Sequence, residues 1–146
     1  MDPKKVYLAQ TDTTVGFLSQ DSEKLARIKK RPPSKPFLIA VSSLKNLQKF
    51  VRVPKKHKNL VRRAKKTTFI YPNGKALRVI NWGEHYKFLR KFGWCYSTSA
   101  NASGKRFERE WAMKQADIVV EDWRGLYEST PSRLYKLGKK RMQKIR

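Results

Sequence analysis

The chain has 146 residues, 39% of them apolar and 12% aromatic, which is enough for one domain, 1–146, with a real core and too aromatic for a disordered segment. Lysine and arginine number 35 against 11 acidic residues, a net charge of +24 that makes polyanions, RNA foremost, the natural partners. The single cysteine, Cys95, excludes an internal disulfide or a cysteine-rich zinc site, and no run approaches the roughly 20 apolar residues of a membrane span.

Val6 to Ala9 read as a short buried strand. Asp21 or Ser22 can cap a helix with Leu25 and Ile28 on its inner face, and Pro32 and Pro33 must stop it. Phe37 to Val41 is an unbroken apolar run, the pattern of a central strand. Ser42 or Ser43 caps the next helix, placing Leu44, Leu47, Phe50 and Val51 on one face. Lys55 to Lys66 is helical in pattern through Leu60, Val61 and Ala64, with a basic outer face.

Thr67–Tyr71 and Ala76–Ile80 flank Asn73-Gly74, a hairpin signal. A helix over Glu84–Phe92 buries Phe88, Leu89 and Phe92 and ends at Gly93. Trp94 to Tyr96 form a strand that delivers a loop, Ser97 to Gly104. Phe107, Trp111 and Gln115 recur at helical spacing within Lys105–Gln115. Ile118 to Val120 return to strand, and Ser132–Leu137 with Met142–Ile145 pair as a terminal hairpin around Gly138. Alternating strands and helices interrupted by hairpins predict an α/β protein with a mixed sheet.

Three stretches carry chemistry. Gln10-Thr11-Asp12-Thr13-Thr14-Val15-Gly16 follows the first strand. Lys29-Lys30-Arg31-Pro32-Pro33-Ser34-Lys35-Pro36 is a cationic loop stiffened by proline. Ser97-Thr98-Ser99-Ala100-Asn101-Ala102-Ser103-Gly104 is dense in hydroxyls. Hydroxyls, an amide and forked cations suit a polyanionic nucleotide. No Walker A loop is present: Asn73-Gly74-Lys75 lacks the upstream glycine and sits in a hairpin. His57 and His85 have no partners at metal-ligand spacing. Cys95 reads as a core thiol, and no nucleophile–base set is visible.

In this order the three stretches resemble the threonylcarbamoyl-AMP synthases, the YrdC-like family. Leu77-Arg78-Val79-Ile80, Asp117-Ile118-Val119 and Pro131-Ser132-Arg133 match later elements of its pattern. Gln10 stands where proline is usual, Val15 where tyrosine is usual and Ile80 where a proline follows the arginine. Arg63-Ala64-Lys65-Lys66 replaces a Pro-Gly-Pro segment, so the chain is read as a short, trimmed member.

The resemblance implies a twisted open mixed sheet with flanking helices and a concave binding face. It implies ATP contacts from Lys29, Arg31, Lys35, Ser99 and Asn101, and L-threonine contacts from Thr11, Arg78 and Ser132. Arg78 would hold the threonine carboxylate in a bidentate pair. The implied reaction joins L-threonine, bicarbonate and ATP into threonylcarbamoyl-AMP and pyrophosphate. Magnesium would sit on the phosphates, no protein residue would act as a catalytic nucleophile, and a separate transferase complex would move the group to tRNA. The basic surface, with Lys55, Lys56, Arg62 and Arg63 foremost, is expected to contact tRNA or other RNA. The alternative is a non-catalytic RNA-binding module that retains the fold. With one cysteine and no signal peptide, a cytoplasmic location is expected.

Overall fold

The computed structural model describes residues 1–146. Nine strands form one mixed sheet: β1 (Tyr7–Gln10), β2 (Val15–Ser19), β3 (Leu38–Val41), β4 (Thr67–Ile70), β5 (Ala76–Val79), β6 (Trp94–Ser99), β7 (Ile118–Val120), β8 (Arg133–Leu137) and β9 (Met142–Lys144). Their order across the sheet is β7-β1-β2-β6-β3-β5-β4-β8-β9. The β1–β7, β3–β5 and β4–β8 pairs are parallel and the others antiparallel. The helices are α1 (Ser22–Lys29), α2 (Leu44–Leu47), α3 (Lys58–Arg63), α4 (Gly83–Leu89) and α5 (Arg109–Gln115). None is long and apolar enough to cross a membrane.

Register assigns each strand residue to a face, because side chains alternate. One face carries Leu8, Phe17, Ile39, Leu77 and Phe69. It packs under Leu25 and Ala26 of α1, Leu47 of α2, Val61 of α3 and Ala112 of α5. The other carries Tyr7, Ala9, Leu18, Ala40 and Cys95, covered by Phe88 and Leu89 of α4. With only α4 on that side, part of the second face is left bare. The residues there are small or polar: Gly16, Ser97, Ser99 and Arg78. Four helices on one side and one on the other thus leave a hollow lined with hydroxyls.

Local chemistry explains the elements. The Asp21 carboxylate accepts from the backbone N–H of Glu23 (3.1 Å) and Lys24 (3.3 Å), capping α1. Lys30 ends that helix in the left-handed region (φ 50°), and Arg31 N–H then bonds back to the Ala26 carbonyl at 3.0 Å. Ser43 Oγ caps α2 by accepting from Asn46 N–H at 3.0 Å.

Several expectations need correction. β2 is an unforeseen strand, wholly buried, that pairs β1 with β6. Ser97–Ser99 belong to β6 rather than to a loop, since Leu18, Phe17 and Gly16 pair with them. The Lys55–Lys66 helix splits into a 3₁₀ turn at Lys55–His57 and the six residues of α3. Leu60 points outward, 41% exposed, while Val61 is buried. α5 begins at Arg109, so Phe107 precedes it.

Candidate active site

The bare part of the sheet forms a cleft of about 230 Å³. The β1–β2 turn, the loop after α1, the end of β6 and the segment before β8 meet around it. Thr11, Arg31, Arg78, Ser99 and Ser132, from five places in the sequence, all line it, and no acidic residue does. Gly16 lies on its floor: a Cβ there would stand 3.0 Å from the Thr98 carbonyl oxygen and 3.2 Å from Thr11 Cγ2. A side chain at this position would fill the hollow.

The turn that presents Thr11 is fixed by its own hydroxyls. Thr11 Oγ1 donates to the Thr14 carbonyl at 2.6 Å and accepts from Thr13 N–H at 3.1 Å. A second clamp comes from the chain after β7. Arg124 donates to the carbonyls of Thr11 (3.1 Å) and Gln10 (3.0 Å), and Asp122 holds that guanidinium at 2.6 Å. Those hydrogen bonds keep the Asp122 carboxyl below its usual range. Gln10, the residue in place of the usual proline, accepts from Tyr127 N–H at 2.9 Å. Asp122 and Arg124 were missed from the sequence. Only an Asp-x-Arg spacing in a loop hinted at them, and nothing local says which turn they grip.

Arg31 is braced on the loop after α1. Its guanidinium lies 4.4 Å from the Phe37 ring centre and donates to the Pro36 carbonyl at 3.2 Å. Arg78 is fully buried beside Asp12, and burial pulls its pKa down while Asp12 holds it up. In both arginines Nε is buried with no protein partner. Both guanidiniums stand among hydroxyls in the cleft lining, which gives it the positive, donor-rich character that suits an oxyanion. Ser132 Oγ shares a hydrogen bond with Thr68 Oγ1 at 2.8 Å, and Arg146 reaches it at 3.3 Å, adding a third guanidinium to the cleft.

Lys29 and Asn101 sit side by side behind this cleft. Lys29 Nζ donates to the carbonyls of Ser99 (3.0 Å) and Asn101 (2.6 Å). Burial, helped by the charge of Arg31, lowers its pKa to about 8. The Asn101 amide donates to the carbonyls of Ala102 and Lys105. These two residues therefore shape the strand end that carries Ser99. Lys35 lines a separate hollow with Ser22 and Glu23 of α1. Lys55 lines a different cleft, while Lys56, Arg62 and Arg63 lie exposed on the 3₁₀ turn and α3. Cys95 is buried and its thiol is pushed up to about 12, so it is no nucleophile. No three histidine, cysteine, aspartate or glutamate side chains converge to hold a metal.

Residues 5–146 match the profile of the Sua5/YciO/YrdC family, described as telomere recombination. The chain belongs to that family. Its fold is shared with Pyrococcus abyssi (P. abyssi) Sua5 complexed with L-threonine, at TM-score 0.80 and 18% identity over 98% of this chain and 50% of that one. Escherichia coli (E. coli) YciO is similar at TM-score 0.77 and 17% identity, covering 98% of this chain and 82% of that one. Full-length HypF in a phosphate- and nucleotide-bound form matches at TM-score 0.77 and 16% identity, over 98% of this chain and 27% of that one. This member of the family thus spans about half the length of the Sua5 chain and about a quarter of HypF. No curated protein matches it by sequence.

Proposed function

We propose that this protein is a threonylcarbamoyl-AMP synthase acting in tRNA threonylcarbamoyladenosine modification. The observation that carries the reading is the convergence of Thr11, Arg31, Arg78, Ser99 and Ser132 on one acid-free cleft. A Sua5 relative complexed with L-threonine and a HypF relative holding phosphate and nucleotide, both on this fold, support it.

In this reading Arg78 takes the threonine carboxylate, its position fixed by Asp12. The threonine amine and bicarbonate combine to a carbamate with loss of water. A carbamate oxygen then attacks the α-phosphorus of ATP, and the bond to pyrophosphate breaks. Arg31, held over the Phe37 ring in the cleft lining, would face the phosphates, and Ser99 offers a hydroxyl. Charge stabilisation and alignment are the whole contribution of the protein, because both nucleophiles come from substrates. Lys29 acts through Ser99 and Asn101, whose carbonyls it holds. Magnesium belongs to the reading only as a companion of ATP. The cleft has no carboxylate to bind it, so its ligands would be phosphate and water.

The decisive measurement is pyrophosphate release with chromatographic detection of threonylcarbamoyl-AMP. Release should require threonine and bicarbonate together. Arg31→Ala should lose most of the thermal shift given by ATP. A second reading, an RNA-binding module without synthesis, draws on the engagement of Lys29 by protein carbonyls. ATP binding without pyrophosphate release under any substrate combination would favour it.

A further inference from the structure

Residues 122–129 leave the end of β7 and are fastened along their length to the β1–β2 turn. Beyond the Arg124 fork on the Gln10 and Thr11 carbonyls, Gln10 Oε1 accepts from Tyr127 N–H at 2.9 Å. Val15 N–H donates to the Tyr127 carbonyl at 3.2 Å, and Ser129 N–H donates to Thr14 Oγ1 at 3.0 Å. The segment then runs on into Pro131 and Ser132, which line the cleft. It therefore holds one wall of the cleft and continues into another. Gln10, in place of the usual proline, supplies a bond that a proline side chain has no atom to make.

Arg124 is the member of this set that no other residue type replaces. Nη1 reaches the Thr11 carbonyl and Nη2 the Gln10 carbonyl, while Nε and Nη2 bind the Asp122 carboxylate at 3.0 and 2.6 Å. Gln10 and Thr11 are buried, where a carbonyl without a donor is costly. A planar fork meets both carbonyls and the carboxylate at once, which a single ammonium cannot do. The turn so held carries Thr11 and also Asp12, whose carboxylate stands 3.0 Å from Arg78 Nη2. Force on the turn thus reaches the guanidinium through Asp12. Arg31 is braced elsewhere, over Phe37 and on the Pro36 carbonyl, and Lys29 holds the Ser99 carbonyl.

We propose that residues 122–129 are a positioning strap for the amino-acid side of the cleft, taken as the synthase site, and that Arg124 is the positioning residue through which the strap acts. It touches no substrate. It sets the pose of the turn, and through Asp12 the pose of Arg78, before threonine arrives, so that little ordering is left to oppose binding.

Arg124→Ala and Arg124→Lys test the proposal, with Arg106→Gln as the control, since Arg106 is 92% exposed and makes only a surface ion pair. Isothermal titration should show threonine affinity falling on the order of tenfold in Arg124→Ala and by less in Arg124→Lys, with ATP affinity nearly unchanged in both. Amide hydrogen exchange followed by NMR should quicken on the order of tenfold or more at Thr13 and Val15 in Arg124→Ala, and not in β3. Arg106→Gln should match the wild type in every measurement. Arg124→Lys keeps the charge, so the comparison stands even where the alanine variant does not fold. Equal losses of threonine and ATP affinity would show general damage to the fold and overturn the proposal. Unchanged exchange at the turn would overturn it too. A wild-type protein that ignores threonine, together with faster exchange at the turn in the variants, would sink the synthase reading and uphold the strap as what fixes the turn.

Discussion

Asp12 and Arg78 form a buried ion pair, Oδ1 to Nη2 at 3.0 Å, with their side chains 1% and 4% exposed. Three strands stand between β1 and β5, so the pair joins the turn after β1 to the middle of the sheet. It does two things: it keeps a guanidinium charged in an apolar setting, and it fixes where that guanidinium points.

Asp12→Asn is therefore expected to destabilise the protein by about 3–5 kcal/mol, because Arg78 is left buried without a counter-charge. Threonine should raise the melting temperature of the variant by more than it does for the wild type, since its carboxylate replaces the lost charge. Urea denaturation and thermal shift measure the two effects. Wild-type stability in the variant would sink the assignment.

Lys29→Met keeps the stem and removes the amine that holds Ser99 and Asn101. The folded pKa of Lys29, about 8, is below its usual value near 10.5, so the unfolded chain binds the proton more tightly. Stability should rise with pH between those values in the wild type relative to the variant. Denaturation of both proteins at pH 7.5, 9 and 10.5 gives the difference. A constant difference would mean that folding leaves the Lys29 pKa where it is in the unfolded chain.

His85 supplies an acid-side signature. It is fully buried against Phe88, its ring centre 6.2 Å away, and neither nitrogen has a partner. Burial, reinforced by the charges of Arg78 and Arg124, lowers its pKa to about 3, with Asp122 opposing. Below pH 6.5 the unfolded chain takes up a proton that the folded chain refuses. Stability should climb as pH rises from about 3 to 6.5, with a slope contribution approaching 1.4 kcal/mol per pH unit. His85→Phe should remove that contribution, and an unaltered profile would show that the imidazole titrates freely.

Gly16→Ala tests the cleft floor. The added methyl meets a backbone carbonyl at 3.0 Å, which cannot swing aside as a side-chain end could. A loss of about 1–3 kcal/mol in stability is expected, together with weaker threonine binding and ATP affinity that falls less. Isothermal titration with each ligand separates them; unchanged threonine affinity would place that ligand elsewhere.

Much of the sheet was legible because its strands are short apolar runs set between turn-formers, as at Leu38–Val41 and around Asn73-Gly74. β2 was not, because Val15-Gly16-Phe17-Leu18-Ser19 follows a signature that draws attention to its chemistry rather than its burial. The first cleft was legible in the residues that line it, Thr11, Arg31, Arg78, Ser99 and Ser132. Alternation along β5 does not by itself say that Arg78 turns into a cleft, and only the family pattern pointed to it. What no local pattern could show was the clamp by Arg124 and the Asp12 partner, since both depend on which loops the sheet order brings together. The inward turn of Lys29 was hidden for the same reason: its carbonyl partners lie about 70 residues away.

The sheet does not close on itself, so two strand margins are left with unpaired backbone groups. Each is only three residues long, β7 at one end and β9 at the other, roughly 10 Å of hydrogen-bonding ladder. Lys144 lies in β9, and Arg141 and Arg146 flank it, so two copies approaching through this margin repel each other. Basic residues thereby blunt the β9 margin as a template for self-pairing, whereas the β7 margin is bounded by Asp117 and Glu121.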